Sequence, residues 1–187
     1  MHDPAPHGEE SPSPWVMRFA PLVAGAAGVL DLACGTGRHS RFFAARGCSV
    51  VAVDRDPQAL ACLAATAGVV AVCADLERGA WPLSGQRFDA VVVTRYLHRP
   101  RITQLVDCVA ADGVLLYETF AQGNEAYGKP SNPDFLLAPG ELLDIVRGLL
   151  RVVAFEQGAE TLVAARPAVV QRIAAVGNQR AWPVALP

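Results

Sequence analysis

The sequence predicts a doubly wound α/β domain built on a mostly parallel, seven-stranded sheet with an antiparallel strand near the C-terminus. Three observations predict it. Short β-branched runs alternate with longer amphipathic ones, which is the rhythm of strand–helix–strand units. The strands read as nearly continuous apolar runs, such as Ala90-Val91-Val92-Val93, as strands covered on both faces do. At 187 residues, 52% hydrophobic and 18% charged, the chain can bury one substantial core.

Taken in order, residues 1–14 (MHDPAPHGEESPSP) carry proline and charge without an apolar period, and are expected to form a disordered tail. From Ser13 the pattern turns helical, with Trp15, Val16, Phe19 and Val23 sharing a face and Pro21 shortening the helix. Strands are expected at Gly28–Ala33, Ser49–Asp54, Val69–Ala74, Phe88–Thr94 and Val114–Thr119. Helices are expected at Arg38–Arg46, Pro57–Thr66 and Arg101–Ala111, the second capped by Asp56 before Pro57. Leu76–Gln86, with Trp81-Pro82 and Gly85, reads as a loop. Phe120–Pro139 holds three prolines and is too long for an idle connection, which predicts a lid or binding loop. A helix over Pro139–Leu150 follows, then two closing strands, Arg151–Phe155 and Thr161–Ala165, joined across Gln157-Gly158. The domain is thus expected to span 15–167, with 168–187 as an extension.

Charge narrows the partners. The formal charge is −2 and Lys129 is the sole lysine, so a phosphate backbone has little to hold. A local basic patch made by folding stays open. Five cysteines (Cys34, Cys48, Cys62, Cys73, Cys108) without a CxxC pair suit neither a zinc site nor a disulfide framework, and read as buried free thiols. The first residues lack the basic-then-apolar pattern of a signal sequence, and no apolar run reaches the ~20 residues of a membrane span. A soluble cytoplasmic protein is expected.

The chemistry concentrates at Val29-Leu30-Asp31-Leu32-Ala33-Cys34-Gly35-Thr36-Gly37-Arg38-His39-Ser40. A strand ends in an acid, turns through two glycines and enters a helix, whose unpaired N–H groups can meet a polar ligand. Asp54 ends the next strand, where a carboxylate can accept both hydroxyls of a ribose. Asp75 ends the third, within reach of an adenine amine. In open α/β sheets ligands bind at these carboxyl ends. A dinucleotide reading is weaker, because Gly35-x-Gly37-x-x-Ser40 lacks the third glycine of that fingerprint.

Leu30–Gly37 resembles the S-adenosylmethionine (SAM) motif of class I methyltransferases, with Val53-Asp54 and Ala74-Asp75 matching that family's second and third cofactor contacts. The likeness spans roughly residues 29–166 and implies a Rossmann-like fold. It also implies a SAM site formed by Asp31, Ala33, Cys34, Gly35, Thr36, Gly37, Asp54, Arg55, Asp75, Leu76 and Thr94, with S-adenosylhomocysteine (SAH) as product. In that picture the Ala33–Gly37 backbone holds the methionine moiety, Asp54 the ribose, and Asp75 with Leu76 the adenine. Ala33 departs from the family's usual glycine.

The acceptor side carries less signal. Thr94–Pro100 follows the fourth strand, and Tyr96 and His98 are candidates to orient or deprotonate a nucleophile, with a helix-entry loop as the alternative. Glu118, at the fifth strand's end, is a third candidate, or else a carboxylate that holds the loop's shape. Tyr127 and Phe135 read as filling the loop's own core. The stretch from Tyr117 to Leu142 is similar to bacterial methyltransferases of the tellurite-resistance type, which implies a small-molecule acceptor. No metal ligand cluster is visible. An RNA or DNA methyltransferase on the same fold, and a SAM-binding protein without catalysis, remain the alternatives.

Overall fold

A computed structural model of the protein describes residues 11–160 and 167–187. Seven strands, β1 (Gly28–Leu32), β2 (Ser49–Asp54), β3 (Val69–Cys73), β4 (Phe88–Thr94), β5 (Val109–Phe120), β6 (Leu150–Glu160) and β7 (Ala168–Gly177), form one sheet. Their order is β3-β2-β1-β4-β5-β7-β6, and only the two pairings made by β7 are antiparallel. The chain reverses its direction of travel across the sheet between β1 and β4, which opens a crevice at their carboxyl ends.

Strand alternation divides the core in two. Leu30, Leu32, Val91, Val93, Leu115, Tyr117 and Ile173 face one side, packed with Leu105 and Val106 of α4 (Ile102–Asp107) and Leu142 and Val146 of α5 (Glu141–Val146). Val29, Val50, Val92, Val114, Leu116 and Val176 face the other, against Trp15 and Phe19 of α1 (Pro14–Phe19) and Phe43 of α2 (Arg38–Ala45). The period-2 alternation thus supplies both faces of a doubly covered sheet. α3 (Pro57–Ala61) is capped as expected, Asp56 accepting from the Gln58 N–H at 2.8 Å. Among the described residues no helix is long and apolar enough to cross a membrane.

Several elements differ from the sequence reading. α3 stops at Ala61, and residues to Thr66 tighten into i→i+3 turns that bring Leu63 inward beside Leu60. The helix expected to reach Ala111 ends at Asp107, because Val109 already pairs with Phe88 in the sheet. α5 is confined to Glu141–Val146. β6 runs straight through Gln157-Gly158, where a turn was expected, and pairs Gly158 with Val170. The expected strand Thr161–Ala165 lies outside the described residues. Ala168–Gly177 is no extension: it is β7, inserted between β5 and β6. Of the expected tail, residues 1–10 are outside the described part. Ser13, however, is buried and caps α1, accepting from the Trp15 N–H at 3.1 Å. Cys62 and Cys73 are exposed free thiols, whereas Cys34, Cys48 and Cys108 are buried ones.

Candidate active site

The turn after β1 is shaped from several directions. Ala33, Gly35 and Gly37 all have positive φ, at 55°, 55° and 80°. The Cys34 N–H donates to the Val53 carbonyl at 3.0 Å and the Gly37 N–H to the Cys34 carbonyl at 3.0 Å, closing the bend onto β2. At Gly37 a Cβ would stand 2.4 Å from Leu63 Cδ2, so the glycine leaves room for the inward-turned Leu63 as well as supplying the positive φ. At Gly35 nothing lies within 4 Å of where a Cβ would be, so its backbone borders open space a ligand can approach. Burial pushes the Cys34 thiol up, which keeps it a protonated, unreactive wall.

The three acids at the strand ends hold this bend and flank it. Asp31 is fully buried beneath the turn and accepts from Ser40 Oγ at 2.6 Å. Burial raises its carboxyl from 3.8 to about 6, with the Ser40 bond opposing. Asp54 accepts the Gly35 N–H on Oδ2 at 2.8 Å and the Asp56 N–H on Oδ1 at 2.9 Å. A carboxylate has about four lone-pair sites, so two remain for a ligand's hydroxyls. Asp75 Oδ1 accepts from the Glu77 N–H at 2.9 Å.

Two hollows open on either side of the β4 tip. The smaller, about 130 Å³, is lined by Ala33, Asp54, Arg55, Ala74, Asp75, Leu76, Glu77 and Tyr96. The larger, about 760 Å³, is walled by Arg38, Arg95, Glu118, Thr119 and Arg172 at the strand ends. The N-terminal segment Ser11–Pro14 with Met17 and the loop residues Asn124 and Tyr127–Lys129 also line it. Consecutive residues Arg95 and Tyr96 therefore serve different hollows, and the Ala33–Arg38 turn spans the gap between them.

The wall of the larger cavity is a polar network. Glu118 accepts from Ser13 Oγ at 2.9 Å and meets Arg172 Nε at 2.6 Å, as paired charges without hydrogen-bond alignment. Arg172 also faces Glu156 at 3.5 Å and touches Glu160. The Ser13 N–H donates to His39 Nε2 at 3.0 Å, which fixes that ring as a neutral acceptor. Burial first, then the charges of Arg38 and Arg95, lower His39 from 6.5 to about 3.

The loop 120–139 is anchored at both legs. Asn124 donates to the Pro130 carbonyl at 2.9 Å and accepts from the Val169 N–H at 3.1 Å. On the return leg Arg99 donates to the carbonyls of Asp134 and Leu136, both at 2.8 Å, and clasps Glu141 at 2.7 and 2.9 Å. Tyr127 and Phe135 do not fill a loop core; both are nearly half exposed, and Tyr127 faces the cavity.

Of the expected cofactor residues, Ala33, Asp54, Arg55, Asp75 and Leu76 gather in the small hollow, while Asp31, Cys34, Gly35, Thr36 and Gly37 build the turn beside it. Thr94 ends β4 opposite Glu118 and lines neither hollow. Two acceptor-side expectations need correction. His98 lines neither hollow, and its carbonyl accepts from the Arg101 N–H at the start of the next helical turn. Tyr96 lies with Asp54 and Asp75, on the far side of β4 from the large cavity. Glu118 does line that cavity, and is tied to Ser13 and Arg172 instead of to backbone N–H groups. Sequence reasoning missed Ser13, Arg38, Arg95 and Arg172. The Ser13-Pro14 pair is a legible helix start, but nothing local says that this helix start closes a cavity.

A methyltransferase-domain family model matches residues 29–111, which run from β1 through the start of β5 and contain the turn and all three acids. The glycine turn and the reversal of strand order between β1 and β4 lie within the stretch that this methyltransferase-domain model matches. The open approach at Gly35 and the carboxylates lining the hollow beside it suit the polar groups of an adenosyl ligand. The fold is shared with solved structures of low sequence identity. TehB from Haemophilus influenzae superposes with a TM-score of 0.72 at 19% identity, over 87% of this chain and 61% of TehB. This chain therefore spans less than two thirds of TehB's length. A TehB-like SAM-dependent methyltransferase from Corynebacterium glutamicum gives 0.64 at 18% identity, over 88% and 87% of the two chains. Coclaurine N-methyltransferase, solved with N-methylheliamine and SAH, gives 0.62 at 15%, over 78% and 50%. No curated protein matches the chain in sequence.

Proposed function

We propose that this chain is a methyltransferase acting on a small-molecule acceptor bound in the 760 Å³ cavity, with the adenosyl end of SAM in the small hollow. The cavity is the observation that carries the reading. Its volume falls within the roughly 300–1,000 Å³ of small-ligand sites. It is flanked by residues of the Asn124–Lys129 loop and of the Ser11–Met17 segment, which offer a small molecule contacts on two sides. The formal charge of −2 supports the same choice. The free thiols suit a reducing cytoplasm.

When bound, SAM supplies an electrophilic methyl group whose departure leaves neutral sulfur. The chain's own work is placement. Asp54 takes the ribose hydroxyls on its remaining lone pairs, while its bond to the Gly35 N–H keeps the bend in shape for the methionine moiety. Asp75 takes the adenine amine, with Arg55 and Leu76 flanking. Thr94, ending β4, marks the border between the two hollows. Glu118, braced by Arg172 and Ser13, holds the acceptor wall, and Tyr127 closes it. Alignment of nucleophile, carbon and sulfur then lowers the barrier with no further covalent step.

Calorimetry with SAH tests the cofactor half: the wild-type chain should bind it, and Asp54→Ala should lose most of that affinity. Asp54→Asn, which keeps one carbonyl acceptor, should retain part. Equal binding by all three sinks the assignment of Asp54. Labelled SAM turned over against fractionated cell extract tests the acceptor half. Label should enter the low-molecular-weight fraction; label in nucleic acid alone overturns the small-molecule reading.

A further inference from the structure

We propose that the Tyr96 hydroxyl is a donor to a ring nitrogen of the cofactor's adenine, and that the Asp75–Gln86 segment must open for it to serve. This rests on the reading that the small hollow takes the adenosyl end of SAM. The first observation is an orphan. The Tyr96 oxygen is buried and has no hydrogen-bond partner among the described residues. A buried hydroxyl without a partner is costly, so such an atom in a native structure calls for a partner that arrives later.

The second observation is its place. Tyr96 lines the hollow with Asp54 and Asp75, one residue past the β4 exit and beside the glycine turn. Its backbone is fixed there, since its carbonyl accepts from the buried Tyr117 hydroxyl at 2.8 Å. Burial, followed by the nearby charges of Glu77 and Asp75, pushes the phenol up to about 12. The group therefore stays protonated and acts as a donor. With Asp75 assigned to the exocyclic amine, the acceptors left on the base are its ring nitrogens.

The third observation is size. At about 130 Å³ the hollow is smaller than the roughly 300 Å³ at which ligand sites begin, so it has to widen. The segment over it, Asp75–Gln86, contains no helix or strand, and Glu77–Ala80 are exposed. It is latched by Arg101, whose Nη2 donates to the Gly79 carbonyl at 2.5 Å, and by the Asp75–Glu77 turn. Outward movement of this segment would enlarge the hollow and uncover the Tyr96 hydroxyl in one motion.

The test compares wild type with Tyr96→Phe, which keeps the ring and deletes the hydroxyl. Calorimetry is run with SAH and with its 1-deaza, 3-deaza and 7-deazaadenine analogues. Wild type should bind one of the analogues about five- to tenfold more weakly than SAH, the effect of one lost hydrogen bond. The variant should bind SAH weaker by the same factor and bind that analogue no worse than SAH. Ligand-free Tyr96→Phe should melt at or above the wild-type temperature, because an unpartnered polar atom has gone. If the variant keeps the wild-type ranking of the four ligands, or if wild type ranks all four alike, the proposal is overturned. A lowered melting temperature with unchanged SAH affinity likewise overturns it and makes the hydroxyl structural. Failure of the wild-type chain to bind SAH at all removes the underlying cofactor site, which is a separate result.

Discussion

Replacing Asp31 with Asn should separate two opposing pH dependences that the wild-type chain hides. Asp31 is buried under the glycine turn with its carboxyl raised from 3.8 to about 6. Between those values the unfolded chain has lost the proton and the folded chain keeps it. The folded state is therefore favoured below pH 4, and that advantage is lost as pH rises through 6. At about 1.4 kcal/mol for each tenfold change in proton affinity, the loss amounts to about 3 kcal/mol as an upper figure. His39, next in the chain to the Ser40 that bonds Asp31, works the other way. Its ring is lowered from 6.5 to about 3, so its stabilisation is full above pH 6.5 and disappears as pH falls toward 3. By the same conversion that contribution is about 5 kcal/mol at most. The windows overlap, so the wild-type curve from pH 4 to 7 should be shallow. In Asp31→Asn the amide oxygen can still accept from Ser40 Oγ, and only the histidine slope remains. Urea unfolding followed by the fluorescence of Trp15, Trp81 and Trp182 reads the difference directly. The variant should match wild type near pH 4 and exceed it by up to about 3 kcal/mol at pH 7. Other carboxylates titrate alike in both chains and cancel. A variant less stable than wild type at pH 7, or a gap that does not change with pH, refutes the reasoning.

The remaining predictions concern the loop and the bend. Arg99→Ala removes the bonds to Asp134, Leu136 and Glu141, so amide hydrogens over residues 134–142 should exchange faster by at least about tenfold. SAH affinity should be unaltered, and unchanged protection of this stretch would show that the arginine does not hold the loop. Ala33→Gly relieves a left-handed residue at φ 55°, a strain of about 1–2 kcal/mol, against about 0.5–1 kcal/mol for the looser unfolded glycine. A melting temperature raised by about 2 °C is expected from the small net gain, and a clear drop would mean that the alanine methyl is needed for packing.

The sequence by itself determined the strands β1 to β4 almost to the residue, the carboxylates Asp31, Asp54 and Asp75, and the glycine bend. These depend on local physics: an apolar run long enough to cross a sheet, a cap such as Asp56, a glycine where φ is positive. Asp54 and Asp75 could be placed in one hollow in advance because parallel strands deliver their ends to the same edge. Tertiary structure alone decided the rest. Gly158 looked like a turn and proved to be a strand residue, since a missing side chain reads the same way in both and only pairing with Val170 separates them. Ala168–Gly177 looked peripheral because nothing in a short apolar run says which neighbours it will find. Its insertion beside β5 brought Arg172 to Glu118 and created the polar wall of the large cavity. Tyr96 and His98 stood two residues apart with equal claims, and it took the exit path of the chain from β4 to send one ring into the small hollow and leave the other outside both. Which side of a strand tip a side chain serves is set by the packing beneath it, here the Tyr117 hydroxyl on the Tyr96 carbonyl, and that contact joins residues far apart in the chain.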